Sequence, residues 1–288
     1  MGTLAENVLA QYEKNKQAAS GNSNKVSQEE RLKKYFTTIL PKGTKDGERR
    51  IRILPTKDGS SPFVEVYLHE IQVDGKWVKL YDPQQDGKRS PLNEVKDSLM
   101  ATGLESDKEL ARTYRSRKYY IVKLIDRENE QDGPKFWRFK HNIKREGVLD
   151  KIFPIFRNKG DITDPVTGRD LILTLSLSKS GNGKEYTTIN SVMQEDIGPL
   201  HTDPAKAQEW IDDDLTWNDV YAKKSEEYLD LVANGETPKW DGNLKKFVAE
   251  GQVTSTTTGE ANVGNTGTPH TEPEDPQTDS EPDDDLPF

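Results

Sequence analysis

The sequence of 288 residues has no cysteine, and only 32% of its residues are hydrophobic. Without cysteine the chain cannot form disulfides, thiolate zinc sites or a cysteine nucleophile. No run approaches the roughly 18 apolar residues of a membrane span, and the N-terminal residues lack the basic and apolar regions of a secretory signal. We therefore expect a soluble, intracellular protein without membrane contact, with a substantial part of the chain outside any hydrophobic core.

Positive charge is missing from the end of the chain. Residues 251–288 carry nine acids and no Lys or Arg, whereas residues 31–160 carry 29 basic and 19 acidic side chains. Residues 161–250 carry 9 basic and 18 acidic side chains. A basic centre followed by acidic segments indicates a domain that binds a polyanion, with acidic regions that solubilise, regulate or recruit. The net charge of −9 therefore does not argue against nucleic-acid binding.

Basic charge is densest in residues 112–145, which contain eleven Lys or Arg and four acids. The acids fall between two runs rich in aromatic and β-branched residues, 119–125 and 136–143. This pattern predicts a β-hairpin, here called the basic ribbon. Rings and cations on a sheet suit single-stranded nucleic acid, because unpaired bases expose stacking faces and phosphates attract positive charge. Taken alone, the pattern also fits an ordinary hairpin with buried rings and a solvated cationic face.

The remaining patterns predict a mainly β protein. Hairpins are expected at 63–81, around an Asp-Gly turn, and at 171–192, where apolar and polar residues alternate. The apolar segment 148–156 is cut by Pro154 and predicts a short helix that closes a barrel. Thr216 is expected to cap a longer helix that ends at Asn234. We predict an OB-fold-type barrel core with peripheral helices and a disordered acidic tail.

Composition divides the chain into four predicted parts. Residues 1–30 would form a helical arm and linker, and residues 31–200 the OB-fold core that binds single-stranded DNA. Residues 201–250 would form an acidic helical extension, and residues 251–288 the disordered tail.

The order of four segments carries a resemblance to a known family. IRILP, PFVEVYLHEIQVDGKW, SRKYYIVKLIDRENEQDGPKFWRFKHNIKR and DLILTLSLSKSGNGKEY follow one another as in the single-stranded DNA-binding (helix-destabilising) proteins of T-even-type phages. The resemblance covers roughly residues 1–235. It implies an OB-fold core, an N-terminal arm for self-association along the strand, and an acidic region that contacts replication and recombination proteins.

Site residues also follow from the resemblance and from the ribbon. By resemblance, Tyr119, Tyr120 and Trp137 stack on bases or line the groove, and phosphates are contacted by Arg115, Arg117, Lys118 and Arg138. Arg50 and Arg52 alternate with apolar residues and are expected on the outer side of their strand. The full predicted set for single-stranded DNA adds Arg112, Lys123, Lys135, Phe139, Lys140, Lys144, Arg145 and Tyr186.

The sequence departs from the family at its zinc site. The best-known members bind zinc through one histidine and three cysteines, whereas here His69 stands at the histidine position and Ser90 to Asn93 (SPLN) replace a Cys-x-x-Cys pair. We therefore expect no zinc and no other cofactor, and we expect His69 to be a partly buried strand residue. The arm also lacks the family's basic cluster, so self-association is less secure than DNA binding.

The last six residues resemble the acidic tip of bacterial single-stranded DNA-binding proteins, which docks on partner enzymes. They are Asp283, Asp284, Asp285, Leu286, Pro287 and Phe288. A phenyl ring and a carboxylate can enter a pocket with a basic rim while the aspartates steer the encounter. The alternative is a generic solubilising tail.

Together these features predict a non-enzymatic protein that coats and protects single-stranded DNA during phage-type replication, recombination and repair, with partner enzymes recruited by the tip. If the gene is phage-encoded, the site of action is the cytoplasm of a bacterial host. A single-stranded RNA-binding chaperone is the alternative, because stacking and charge do not read the 2′-OH. A metal-dependent nuclease using Asp212 to Asp214 and a pure interaction scaffold are less favoured.

Overall fold

The structure is a computed structural model that describes residues 33–142, 146–181, 183, 185–221 and 223–252. The strands are β1 Asp46–Ile53, β2 Val64–Val73, β3 Lys76–Tyr81, β4 Ser116–Asp126, β5 Lys135–Lys140, β6 Arg169–Lys179, β7 Glu185–Ile197, β8 Pro238–Asp241 and β9 Lys246–Ala249. The helices are α1 Pro91–Ala101, α2 Glu105–Tyr114, α3 Val148–Lys159, α4 Pro204–Asp212, α5 Trp217–Val220 and α6 Glu226–Ala233.

Strands β1 to β7 form one antiparallel sheet in the order β3-β2-β4-β1-β6-β7, with β5 also paired to β4. Strand β4 is central because it is long enough to pair with three neighbours. Its first half pairs with β2 and its last residues pair with β1, while β5 pairs with it from Tyr119 to Leu124. A strand has only two edges, so β2 and β1 share one edge of β4 in succession and β5 takes the other.

The predicted mainly β class with peripheral helices is confirmed, but the sheet is not a closed barrel. Strand β7 pairs with β6 alone, and the outer edge of β5 carries one parallel bridge, from Tyr35 to Phe136. The chain from Lys34 to Leu40 lies between these two edges. At one end Phe36 N donates to Phe136 O at 2.8 Å, and at the other Leu40 N donates to Thr187 Oγ1 at 3.2 Å.

Local patterns fix the hairpins. The β2–β3 turn is Asp74-Gly75, with φ of 50° and 74°, as a two-residue hairpin turn requires. The predicted hairpin at 171–192 is also present, as β6 and β7. These turns bring residues distant from the basic ribbon into the same sheet.

Two helix predictions need correction. The helix that begins at Val148 does not stop at Pro154 but continues to Lys159. Its apolar face, including Ile152 and Ile155, is buried in the main core, and this packing offsets the hydrogen bond that proline removes. The helix capped by Thr216 ends at Val220, and a separate helix begins at Glu226.

The helices after residue 203 share cores with the sheet. Trp210 of α4 packs with Leu54 and Ile125, and Trp217 of α5 packs with the ribbon. Leu229 of α6 packs with the β2–β3 hairpin. The division into a core and an acidic extension stays a prediction. Within the described residues, no helix has the length and apolar character to span a membrane.

Candidate nucleic-acid interface

The basic ribbon is β4 and β5, and both of its faces are covered. Tyr120, Trp137 and Phe139 point into the main core, which also contains α3. Tyr119 and Phe136, on the opposite face, pack with Trp217 of α5. Helix α3 covers one face and α5 covers the other, and both lie outside the ribbon in sequence. The alternation of residues in the ribbon therefore does not distinguish a core face from a solvent face.

The rings predicted to stack on bases are buried, and Phe139 packs at a tilted angle on both Trp137 and Tyr120. Tyr119, Tyr120, Trp137 and Phe139 are 3–8% exposed. The centroids of Trp137 and Phe139 lie 4.7 Å apart, and those of Tyr120 and Phe139 lie 5.8 Å apart. Their role in base stacking stays a prediction, and in the described structure their faces are in contact with protein.

The predicted cations fall into three groups by exposure. Arg50, Arg112, Arg115 and Arg117 are exposed, whereas Lys118, Lys123 and Lys140 are half-buried, as is Tyr186. Arg52, Lys135 and Arg138 are buried. Lys144 and Arg145 lie outside the described residues, as do the arm at 1–30 and the tip at 283–288.

Arg52 differs from the outward orientation expected for its strand. Its guanidinium is 1% exposed and donates to Asp170 Oδ1 at 3.2 Å and to Asp164 O at 2.8 Å. Arg50 and Arg127 also contact the Asp170 carboxylate, at 3.2 and 2.8 Å. Burial lowers the pKa of Arg52 despite the charge of Asp170. Three arginines thus converge on one buried carboxylate, beside a cavity of about 740 Å³.

Two ribbon cations contact the segment that runs from the end of α4 into α5. Lys123 Nζ donates to Asp213 O and Asp213 Oδ1, at 2.7 and 2.8 Å, and to Leu215 O at 3.0 Å. The guanidinium of Arg138 lies between the rings of Tyr119 and Trp217, at 5.8 and 5.7 Å from their centroids. Asp213 therefore compensates the charge of Lys123, and Trp217 covers the guanidinium of Arg138.

A cleft of about 480 Å³ opens between the outer edge of β5 and the start of β7. Residues 36–40 line it between these edges, and residues 146–148 close one end. This β5–β7 cleft brings together Tyr119, Trp137, Arg138, Phe139, Lys140 and Tyr186 of the predicted set. It does not include Arg50, Arg52, Lys123 or Lys135. Its charged lining consists of Lys79, Arg138, Lys140, Lys151, Glu146 and Glu185, a net positive set.

Sequence reasoning missed several residues here. Lys79 and Lys151 line the cleft but belong to segments outside the ribbon. Tyr67 of β2 is an exposed ring with Lys118 Nζ 5.8 Å from its centroid. The alternation of residues in β2 predicts that Tyr67 faces outward. Its contact with Lys118 could not be predicted locally, because it depends on the register in which β2 pairs with β4.

Glu70 is the least expected of these residues. It is 4% exposed, and Lys140 Nζ donates to its two oxygens at 2.8 and 2.9 Å. Arg117 Nε lies 2.9 Å from Oε2, and the Tyr119 hydroxyl donates to Oε1. Burial lowers the pKa of Lys140, although the Glu70 charge opposes this effect.

At the position of the family's zinc site, this chain has a cluster of hydrogen-bonded side chains. His69 is fully buried, with Nδ1 2.7 Å from Tyr114 O and Nε2 3.5 Å from Asp82 Oδ1. Asn93 Nδ2 donates to both Asp82 oxygens, at 3.1 and 3.0 Å. One imidazole, one carboxylate and an amide do not make the Cys-rich donor set of a structural zinc site. Burial alone would raise the pKa of Asp82, but hydrogen bonding and the charge of His69 hold it well below its usual range.

The fold and the matched segment define a DNA-binding protein. Residues 45–225 match the family model described as gp32 DNA binding protein like, which is more than half of the chain and runs from β1 through α5. This chain belongs to that family, and the predicted resemblance to the T-even-type single-stranded DNA-binding proteins is confirmed at this level. No curated protein matches the sequence.

Proposed function

We propose that the protein binds single-stranded DNA in the β5–β7 cleft, with little sequence preference. The observation that carries this proposal is the net positive lining of an open cleft beside the ribbon of a gp32-type domain. Lys79, Lys140 and Lys151 would contact phosphates, and Tyr186 would offer a ring to a base. Exposed Arg115 and Arg117 would extend the path along the start of β4.

Charge and rings, rather than a fixed set of base-edge contacts, support a sequence-independent mode. A protein of this kind coats and protects DNA during replication, recombination and repair, and acts without catalysing a reaction. In a phage it would work in the cytoplasm of a bacterial host. The N-terminal arm at 1–30 would support self-association along the strand.

The test is a titration of fluorescent oligonucleotides at low and high salt, with duplex DNA and RNA as competitors. Binding should weaken steeply with salt as counterions are released, with a slope of about −0.7 for each phosphate neutralised. Equal or tighter binding to duplex DNA would refute the proposal. A preference for RNA would instead support a single-stranded RNA chaperone that uses the same surface.

We assign the acidic end of the chain a second role. Nine acids in residues 251–288 can compete with DNA for the basic surface, and the tip would recruit replication or repair enzymes. Deleting 251–288 should tighten DNA binding, most at low salt. Deleting Phe288 alone should leave DNA affinity nearly unchanged but abolish capture of partner enzymes in pull-downs from host lysate. If the full-length and Phe288-deleted proteins captured the same partners, the tip would be only a solubilising tail.

A further inference from the structure

Glu70 is a buried carboxylate surrounded by groups that bind phosphate. An ammonium, a guanidinium and a phenol hydroxyl converge on its two oxygens, from Lys140, Arg117 and Tyr119. Charge-assisted hydrogen bonds from such donors are the usual means of holding an oxyanion, whether it is a carboxylate or a phosphate. The three donors therefore form an anion site that a side chain of the protein already occupies.

The site adjoins the β5–β7 cleft. Lys140 and Tyr119 line the cleft, and Arg117 is exposed, with 48% of its side chain in contact with solvent. Two cations share one carboxylate, so the group retains a net positive charge. The two cations come from different strands, Arg117 from β4 and Lys140 from β5, while Glu70 comes from β2. The arrangement exists only in the folded sheet.

We propose that Glu70 is a built-in competitor for backbone phosphate: it holds Lys140 and Arg117 when no DNA is bound, and a phosphate in the cleft draws them away from it. This inference rests on the proposed function. A carboxylate close to an incoming phosphate also repels it, so Glu70 weakens binding by its own charge as well. The protein thereby keeps two cations ordered without giving the site its maximum affinity, which favours release of the strand.

The test compares Glu70→Gln with the wild-type protein in titrations of a fluorescent single-stranded oligonucleotide. Glutamine keeps the size and one acceptor oxygen, removes the charge, and replaces the second acceptor oxygen with an NH2 donor. We expect the variant to bind about fivefold more tightly at low salt, the effect of one unit charge at short range in a wet site. The gain should shrink as salt screens it. Glu48→Gln, at an exposed position of β1, changes the net charge equally and should show no gain.

A double-mutant cycle separates competition from a structural effect. In a Lys140→Met, Arg117→Gln background the gain from Glu70→Gln should shrink to the part that comes from direct repulsion between its charge and phosphate, because the cations that Glu70 holds are gone. A gain of undiminished size in this background would overturn the proposal. Equal or weaker binding by Glu70→Gln, with wild-type protein still binding DNA, would also overturn it. Failure of the wild-type protein to bind would instead refute the proposed function.

A measurement on the wild-type protein covers the case in which Glu70→Gln does not fold. The side-chain carboxyl carbon of Glu70 can be followed by NMR in glutamate-labelled protein. Adding the oligonucleotide should shift this resonance, because its two cationic partners move to phosphate. An unchanged Glu70 resonance at saturation, alongside shifts elsewhere in the cleft, would contradict the exchange.

Discussion

Asp170 and Glu70 are both buried carboxylates that hold several cations, but their surroundings differ. Arg52, which is buried, and Arg127, which is half-buried, also donate to the backbone carbonyls Gly198 O and Leu200 O. Both groups border open space: the three arginines line the cavity of about 740 Å³, and Lys140 lines the β5–β7 cleft. A cation that also donates to backbone carbonyls is fixed in place by the fold, whereas Arg117, with a side chain that is 48% exposed, faces solvent. Where the cation also faces solvent, the same type of pair can exchange with a ligand.

The largest expected effect lies on the Asp170 side. Asp170→Asn leaves three arginines with less negative charge, and breaking a buried ion pair in this way costs about 3–5 kcal/mol. The free energy of unfolding from urea denaturation measures it. Glu48→Gln serves as the control because its carboxylate is exposed. If Asp170→Asn instead weakened DNA binding without loss of stability, the contrast between the two carboxylates would fail.

Two aromatic rings differ in the same way, since Trp137 is buried in the core and Tyr186 lines the cleft. Trp137→Ala removes a side chain that is 3% exposed and should cost about 3–5 kcal/mol of stability. Tyr186→Ala removes a half-buried ring of the cleft and should instead cost about 1–3 kcal/mol of binding to single-stranded DNA. Unfolding and titration of both variants test this pair. A stable Trp137→Ala protein that binds DNA weakly would place the tryptophan among the base-stacking residues.

Asp82 is a third buried carboxylate and should respond to pH. Its pKa is depressed in the folded protein, so its contribution is present above the unfolded value of about 3.9 and is lost as pH falls below it. Asp82→Asn should lower stability by about 1.5–3 kcal/mol at pH 7, the range for hydrogen bonds to a charged group. The difference between wild type and variant should narrow below about pH 4. Urea denaturation at several pH values measures it, and a constant difference would contradict the assignment.

The smallest expected effect is on the rim of the cleft. Lys151 lines the cleft and pairs with Glu146 at 3.0 Å. Lys151→Gln should change stability little and reduce the salt slope of DNA binding by about 0.7, if this ammonium neutralises a phosphate. Lys57→Gln removes an exposed lysine that pairs with Asp214 away from the cleft, and it should leave the slope unchanged. Equal salt slopes for the two variants would indicate that DNA does not bind in the cleft.

The hairpins outside the ribbon were predicted correctly from local sequence, whereas the lengths of two helices were not. Alternation and turn residues predicted the β2–β3 and β6–β7 hairpins. The order of segments gave the family. These features depend on residues close together in the chain, so their physical causes are visible in the sequence itself.

Tertiary structure alone decided which parts of the ribbon face solvent. Alternation in β4 and β5 shows that their faces differ, but α3 covers one face and α5 the other, and both helices lie outside the ribbon in sequence. Glu70 has no local feature that separates it from an exposed strand glutamate. Its burial against Lys140 and Arg117 follows from a register in which β4 pairs with both β2 and β5. A side chain's environment is set by the elements packed on it, and long-range pairing chooses those elements.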